Sequence, residues 1–536
     1  MNNKILLGAA ISLASLQVTA LPFAPTDARS MAMGGTGVAS AEVASTVQFN
    51  PALLANTRED DHFGLIIPQF GVIVADDNGF IDEVEDFDEE SPNATPGSGA
   101  TNIDLLGDTL DDATGPLGLE KLADALDTIN TAGTPAAVLA AQTDLTDSVN
   151  YLDGKLFSSN VNLTPDLVLH SNAVADDLDD LNNKALRLNL GGNVAIAVPS
   201  KKFSMALSAG GGAVFSGQVI VNNSDTDILR NYSAATAAYL VEVAELQSLM
   251  TTLASSQTVG NATAVQDQEA VIAAFDYGGN QDNSGANEGD TAIFTNGELV
   301  ADEASLNSQV QMVGVATADL GLTISRVFNI KEHDIAFGIT PKLQKVTIFD
   351  YTQDLDGEDE NGNPVEFDGD AITDSTEDYT SFNIDLGAAY QFGAEKQFQA
   401  GLVVKNLLGK DYESAPYVTS NGLEGTKISV NPMVRAGVSH KTNWTKVAFD
   451  LDLTENDPVA FEDATQYASL GAELNVLRFV QLRAGYRANL AGSGQDVMTA
   501  GIGFSPFAIH LDLGVMANVD DPEKEAGVAF EFGIEF

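Results

Sequence analysis

From residue 186 onward the chain alternates apolar with small or polar residues over stretches of about ten positions, the length a tilted strand needs to cross a bilayer. In 382–392, Phe382, Ile384, Leu386, Ala388, Tyr390 and Phe392 alternate with Asn383, Asp385, Gly387, Ala389 and Gln391. The stretches 446–453 and 508–517 repeat the pattern. Successive side chains of a strand point to opposite faces, so each stretch has one apolar and one polar face. A soluble sandwich alternates too, with its apolar face inward. The pattern alone leaves both architectures open.

Connection lengths separate them. The strands read as 62–75, 186–199, 203–221, 308–328, 334–350, 380–392, 397–408, 428–440, 444–454, 467–475, 480–489, 498–505, 508–517 and 526–536, fourteen in all. Short turns near 200–202, 329–333, 393–396, 441–443, 476–479 and 506–507 alternate with long connections at 76–185, 222–307, 351–379, 409–427, 455–466, 490–497 and 518–525. All short turns therefore fall at one end, as in outer-membrane barrels with short periplasmic turns, long extracellular loops and both termini in the periplasm. The expected fold is an all-β, antiparallel transmembrane β-barrel of about 14 strands with helical extracellular insertions. Pro68 makes the first strand the least regular. In this register Arg187, Asp385, Lys405, Asp450, Glu473, Arg483, Arg487 and Asp512 face inward. Facing lipid, each Arg or Lys would cost about 2–4 kcal/mol at the midplane.

Residues 1–20 carry Lys4, an apolar run from Ile5 to Leu16, and Val18-Thr19-Ala20 before Leu21-Pro22, the layout of a Gram-negative secretory signal peptide with a mature start at Leu21. No other run is long and apolar enough for a membrane helix. The chain has no cysteine, which removes disulfides and thiolate chemistry. Its 77 acidic and 25 basic residues give a net charge of -52, which repels nucleic acid.

The insertions 76–185 and 222–307 are too long to be bare loops. Tyr239, Leu240, Val243, Leu246, Met250 and Leu253 follow helical spacing, as do Leu117, Leu122, Leu126 and Ile129, so helical caps are expected above the barrel mouth. Their apolar faces fit either a core within the cap or a groove for an apolar ligand. The acidic tract 350–378 holds twelve acids and no base. Within it Asp354, Asp356 and Glu358 are hard oxygen donors suited to Ca²⁺, but the spacing lacks the Gly and final Glu of an EF-hand, which favours a solvated loop.

The sharpest motif runs from Asp27 to Ala39, with Arg29, Gly34, Gly35 and Gly37, followed by Phe49-Asn50-Pro51-Ala52-Leu53-Leu54. Its glycine spacing fits neither a dinucleotide fingerprint nor a phosphate loop. Together with Val404-Lys405-Asn406-Leu407, Arg435-Ala436-Gly437, Asp450 to Asn456 and Leu482 to Arg487, it resembles the conjugal-transfer TraF-like outer-membrane proteins, related to the FadL superfamily of hydrophobic-compound transporters. The thioredoxin-like TraF of conjugation systems is a different type, excluded by the missing cysteines. The resemblance implies a barrel over 56–536 and a hatch over 21–55. In the hatch Arg29, Gly34, Gly35, Gly37, Asn50 and Pro51 either contact ligand or shape a structural plug. It also implies porin-like passive transport of small hydrophobic molecules, contact with outer-membrane lipid, and a terminal strand ending at Phe536 that the outer-membrane assembly machinery reads. The alternative is a structural or interaction protein of the envelope serving conjugal transfer.

Enzyme signatures are missing. There is no Gly-x-Ser-x-Gly or His-Glu-x-x-His, no cofactor motif, and His62, His170, His333, His440 and His510 are scattered. His510 and Asp512 share a strand face, which lumen polarity explains without chemistry.

Overall fold

The computed structural model describes residues 17–19, 25–56, 62–76, 78–113, 115–131, 135–156, 166–278, 292–300, 307–354, 375–415, 417–419, 422–424, 426–461, 463–477, 479–492 and 495–536. Of the predicted export segment only 17–19 fall in this set.

Fourteen antiparallel strands close into one barrel. In chain order they are β1 (Gly64–Ala75), β2 (Ala185–Val198), β3 (Ser204–Ile220), β4 (Gln309–Ile330), β5 (His333–Asp354), β6 (Thr376–Phe392) and β7 (Phe398–Lys405). The second half comprises β8 (Met433–Lys441), β9 (Thr445–Asp452), β10 (Tyr467–Leu477), β11 (Val480–Asn489), β12 (Val497–Phe504), β13 (Ile509–Asn518) and β14 (Glu525–Glu535). Each strand pairs with its sequence neighbours, and β14 closes onto β1 through Phe530↔Phe70 and its flanking pairs. The expected strand count and the long–short alternation of connections both hold. Pro68 has no N–H for the ladder, and the register of β1 slips on both sides between Ile66 and Gln69. The terminal residue joins the closure: His62 and Phe63 donate backbone N–H to the Phe536 carbonyl, and the rings of Phe63 and Phe536 stack at 5.1 Å.

The barrel is inside-out relative to a sandwich. Leu207, Leu322, Phe382, Phe449, Leu470, Leu482, Leu513 and Phe530 stand exposed on its exterior, whereas Arg187, Asp385, Asp450, Glu473, Arg483, Arg487 and Asp512 are buried within. Water would oppose that exterior and lipid favours it. Phe203, Phe328, Phe392, Trp444, Phe479 and Phe507 stand exposed around the short-turn end, an aromatic belt of the kind that marks a membrane interface. No helix among the described residues is long and apolar enough to cross a membrane.

Two other bodies attach to this wall. Residues 25–56 lie inside the lumen as short turns of helix, α1 (Ala28–Ala32) and α2 (Thr46–Phe49) among them. The long connections build a helical cap from α3 (Phe80–Asp88), α4 (Asn102–Ala113), α5 (Leu119–Thr131), α6 (Pro135–Leu156), α7 (Asp166–Leu181), α8 (Asn223–Ser255) and α9 (Val259–Ala273). Leu122, Leu145, Leu152, Tyr239, Leu240, Val243, Leu246 and Met250 bury one another in its main core, with Leu126, Ile129 and Leu253 packed against them. Leu117 sits in the turn before α5. The apolar positions that also fitted a ligand groove are thus used for core packing within the cap.

Candidate functional site

The lumen is the one place where the polar faces of all fourteen strands converge, and the hatch fills its middle. Inward-facing glycines from nine strands admit the hatch backbone: a Cβ on Gly71, Gly191, Gly338, Gly387, Gly401, Gly471, Gly485, Gly501 or Gly514 would come within 3.0 Å of hatch atoms. Such close approach is open only to glycine. The recurrence of a mid-strand glycine was the visible signal that something packs against this wall.

Several residues singled out in the sequence make contacts between the lumenal segment and the wall. Asp27 caps α1 by accepting from Ser30 N–H at 2.6 Å. Arg29 donates to Glu473 at 3.0 Å and to the Ser40 carbonyl at 2.8 Å. Burial works against the Arg29 charge, but Glu473, Glu42 and Asp27 together outweigh it and the guanidinium pKa is pushed up. Gly34 (φ +70°) lies against the backbones of Leu470 and Tyr486 and donates to Thr499 Oγ1 at 2.9 Å. Gly35 (φ +88°) offers its carbonyl to Arg435. Gly37 and Val38 donate to one carboxylate oxygen of Asp450 at 2.7 and 2.9 Å. Asn50 donates to the carbonyls of Val38 and Ala388 and accepts from Ala52 N–H, holding the turn that starts at Pro51.

Below these contacts runs a ladder of buried ion pairs. Arg483 bridges Glu473 and Asp512, Arg435 grips Asp452, and Arg487 meets Glu525 at 2.6 Å. His510, set aside in the sequence as lumen polarity, is 3.0 Å from Glu531 and shares a lumenal corner with Asp512. Burial and the neighbouring Glu531 carboxylate hold the Asp27 carboxyl well above the usual carboxylate range.

Two cavities flank the hatch. One of about 320 Å³ lies toward the short turns, lined by Glu42, Lys201, Lys396, Gln399, Lys441 and Lys446 among others. The other, about 210 Å³, lies between the hatch and strands β2 to β7. Its apolar side is Val47, Phe49, Leu190, Val214 and Met433, and its polar side includes Asp319, Lys342, Asp385, Lys405 and Asn406. Lys342 bridges Asp319 at 3.1 Å and Asp385 at 3.3 Å. Space for the chamber comes from Gly191, Gly192 and Gly210 to Gly212 on the facing strands β2 and β3. Of the six predicted hatch residues only Gly35 lines it. Lys342 and Asp319 escaped the sequence reading because a single charge in an alternating strand looks like any other lumen-facing residue. For the Ca²⁺ candidates, Asp354 ends β5, and Asp356 and Glu358 lie outside the described residues.

A family model described as "F plasmid transfer operon, TraF, protein" matches residues 47–452. The matched span contains Asn50-Pro51-Ala52, Val404–Leu407 and Arg435–Gly437, while the Asp27–Ala39 motif precedes it. No curated protein matches the chain in sequence. Among solved structures, the toluene transporter TbuX of Ralstonia pickettii is 11% identical with a TM-score of 0.41, covering 95% of this chain and 98% of its own. A FadL homologue of Pseudomonas aeruginosa is 9% identical with a TM-score of 0.40, at 95% and 98% coverage. The toluene transporter TodX of Pseudomonas putida is 10% identical with a TM-score of 0.36, at 97% and 98% coverage.

Proposed function

The chain belongs to the TraF protein family of the F plasmid transfer operon, and from that premise we propose that it is an outer-membrane channel for passive passage of small hydrophobic compounds, gated by its hatch. The observation that carries the reading is the chamber of about 210 Å³ against the hatch. An enclosed apolar cavity of about 150 Å³ suffices to bind benzene, so this chamber has room for one ring-sized compound held against Val47, Phe49, Val214 and Met433. The rest of the lining is polar, about half of the whole, which suits a compound with a polar end that these groups orient.

In this reading the short turns and both chain ends face the periplasm and the acidic loops face outward, the usual arrangement of such barrels. The strand ending at Phe536 is then the segment read by the assembly machinery. Nine of the fourteen strands hold the hatch in close contact, so passage requires the hatch to shift. The six predicted hatch residues act on the gate, and Gly35 alone reaches the chamber.

The test is uptake of a benzene-sized aromatic compound by cells with and without the gene, and with Ser208→Phe, which places a ring in the chamber that Ser208 lines. Uptake should fall in the deletion strain and in Ser208→Phe alike. Unchanged uptake across a broad apolar panel would remove the transport reading. A role in conjugal transfer rests on the family's description, which names an operon and no chemistry. Co-purification of a second envelope protein with the intact barrel would move the conclusion there.

A further inference from the structure

Where the hatch meets β13 and β14, three potential ligands converge on the barrel wall, with Asp27 of the hatch beside Glu531. Asp512 and Glu531 are direct cross-strand partners, and His510 stands two residues along the same lumenal face. Ligand atoms of these three lie within 4.8 Å of one another. Gly533, opposite His510, makes room for the imidazole, because a Cβ there would collide with the ring. Asp27 approaches from the hatch with Oδ1 committed to Ser30 N–H.

The charges here do not balance locally. Arg29 and Arg483 answer Glu473 and Asp512. Asp27 and Glu531, each 2% exposed, form no salt bridge with Lys or Arg among the described residues. Asp27 Oδ2 and Glu531 Oε2 are buried with no donor among those residues, and the only partner left to them is the other carboxyl, through a shared proton. An unpaired buried carboxylate costs several kcal/mol, so such oxygens require a cation or a proton.

We infer that Asp27, His510 and Glu531, with the second oxygen of Asp512, bind a first-row divalent cation of the Zn²⁺ type that fastens the hatch to the barrel wall. One imidazole with carboxylates is a donor set suited to zinc, whereas Ca²⁺ and Mg²⁺ take oxygen alone. Donors sharing one tetrahedral ion at bond lengths of about 2.0–2.2 Å sit roughly 3.3–3.6 Å apart. The His510–Glu531 separation of 3.0 Å is within a few tenths of an ångström of that spacing. The ion joins three ligands on two adjacent strands to one on the hatch, so its occupancy favours the seated hatch by mass action.

The experiment uses the full-length barrel in detergent, stripped with EDTA and titrated with ZnCl₂, with faster migration of the unheated protein confirming that each variant is folded. Wild type should take up one Zn²⁺ per chain with a rise in melting temperature. His510→Gln and Glu531→Gln should each weaken binding tenfold or more. Asp27→Asn keeps the cap oxygen and should lose both affinity and the Zn²⁺-dependent rise. Absence of Zn²⁺ binding by the wild type, or equal affinity in the His510→Gln/Glu531→Gln double variant, would overturn the site and leave a proton shared between Asp27 and Glu531. Wild-type affinity and melting behaviour in Asp27→Asn would overturn the fastening of the hatch.

Discussion

Replacing Gly34 by alanine tests whether the hatch is a seated part or a loose filling. The added Cβ would stand 2.6 Å from the Tyr486 carbonyl oxygen, 2.8 Å from that of Leu470 and 2.9 Å from the Tyr486 nitrogen. Ordinary contact begins near 3.4 Å, so the shortest approach must lengthen by 3.4 − 2.6 = 0.8 Å. All three atoms are backbone of β10 and β11, where Leu470 and Tyr486 face each other in the ladder and cannot yield separately. The hatch must give way, stretching the 2.9 Å bond from Gly34 N–H to Thr499. Two costs combine: about 1–2 kcal/mol for a left-handed alanine at φ +70°, and about 1–3 kcal/mol for overpacking. Their sum, about 2–5 kcal/mol, shifts hatch seating by roughly thirtyfold or more. Conductance of single barrels in a planar bilayer reads this directly, with frequent openings expected in Gly34→Ala and a mostly closed wild type. Gly107→Ala, in α4 with nothing within 4 Å of the added Cβ, is the control and should behave as wild type or be slightly more stable. A Gly34→Ala barrel with wild-type conductance and melting temperature would refute the argument.

Three further outcomes follow from the same geometry. Arg435→Met strands the buried Asp452 carboxylate, which Arg435 grips with both ends of its fork, and should cost about 3–5 kcal/mol; adding Asp452→Leu should recover most of it in thermal melts. Leu470→Arg places a charge on the exposed lipid face, about 2–4 kcal/mol at the midplane, and should lower the yield of heat-modifiable barrel, whereas an unchanged yield would place that face in water. Burial lowers the His170 pKa below its ordinary 6.5 despite the nearby Asp166. The folded cap therefore disfavours the proton that the unfolded chain accepts, so this stability is complete above pH 6.5 and is lost as pH falls through the folded value. Protection from hydrogen exchange, relative to the intrinsic rate at each pH, should fall at pH 5 in α4 and α7, joined by the 2.9 Å contact of Thr109 with His170, and His170→Gln should flatten the dependence.

The wall of this protein was legible in its sequence because a strand has a period of two residues. Alternation at 382–392, 446–453 and 508–517 states which side chains share a face, and connection lengths state how many strands return to the same end. The helical spacing of Tyr239 to Leu253 marked the cap for the same local reason. The motif in 25–56 was visible as a cluster of glycines; Arg29, Gly34 and Gly37 hydrogen-bond to the wall and Asn50 to Val38 within the segment. What those contacts touch was not legible. Arg29 meets Glu473 across 444 residues and Gly37 meets Asp450 across 413, and no local periodicity encodes a partner at that distance. Whether the cap's apolar faces bind each other or a ligand depends on how the helices pack. The chamber beside Lys342 and the corner of Asp27, His510 and Glu531 likewise exist only once the sheet has closed and the hatch lies within it. Local sequence specifies which face a residue occupies; closure decides what it meets there.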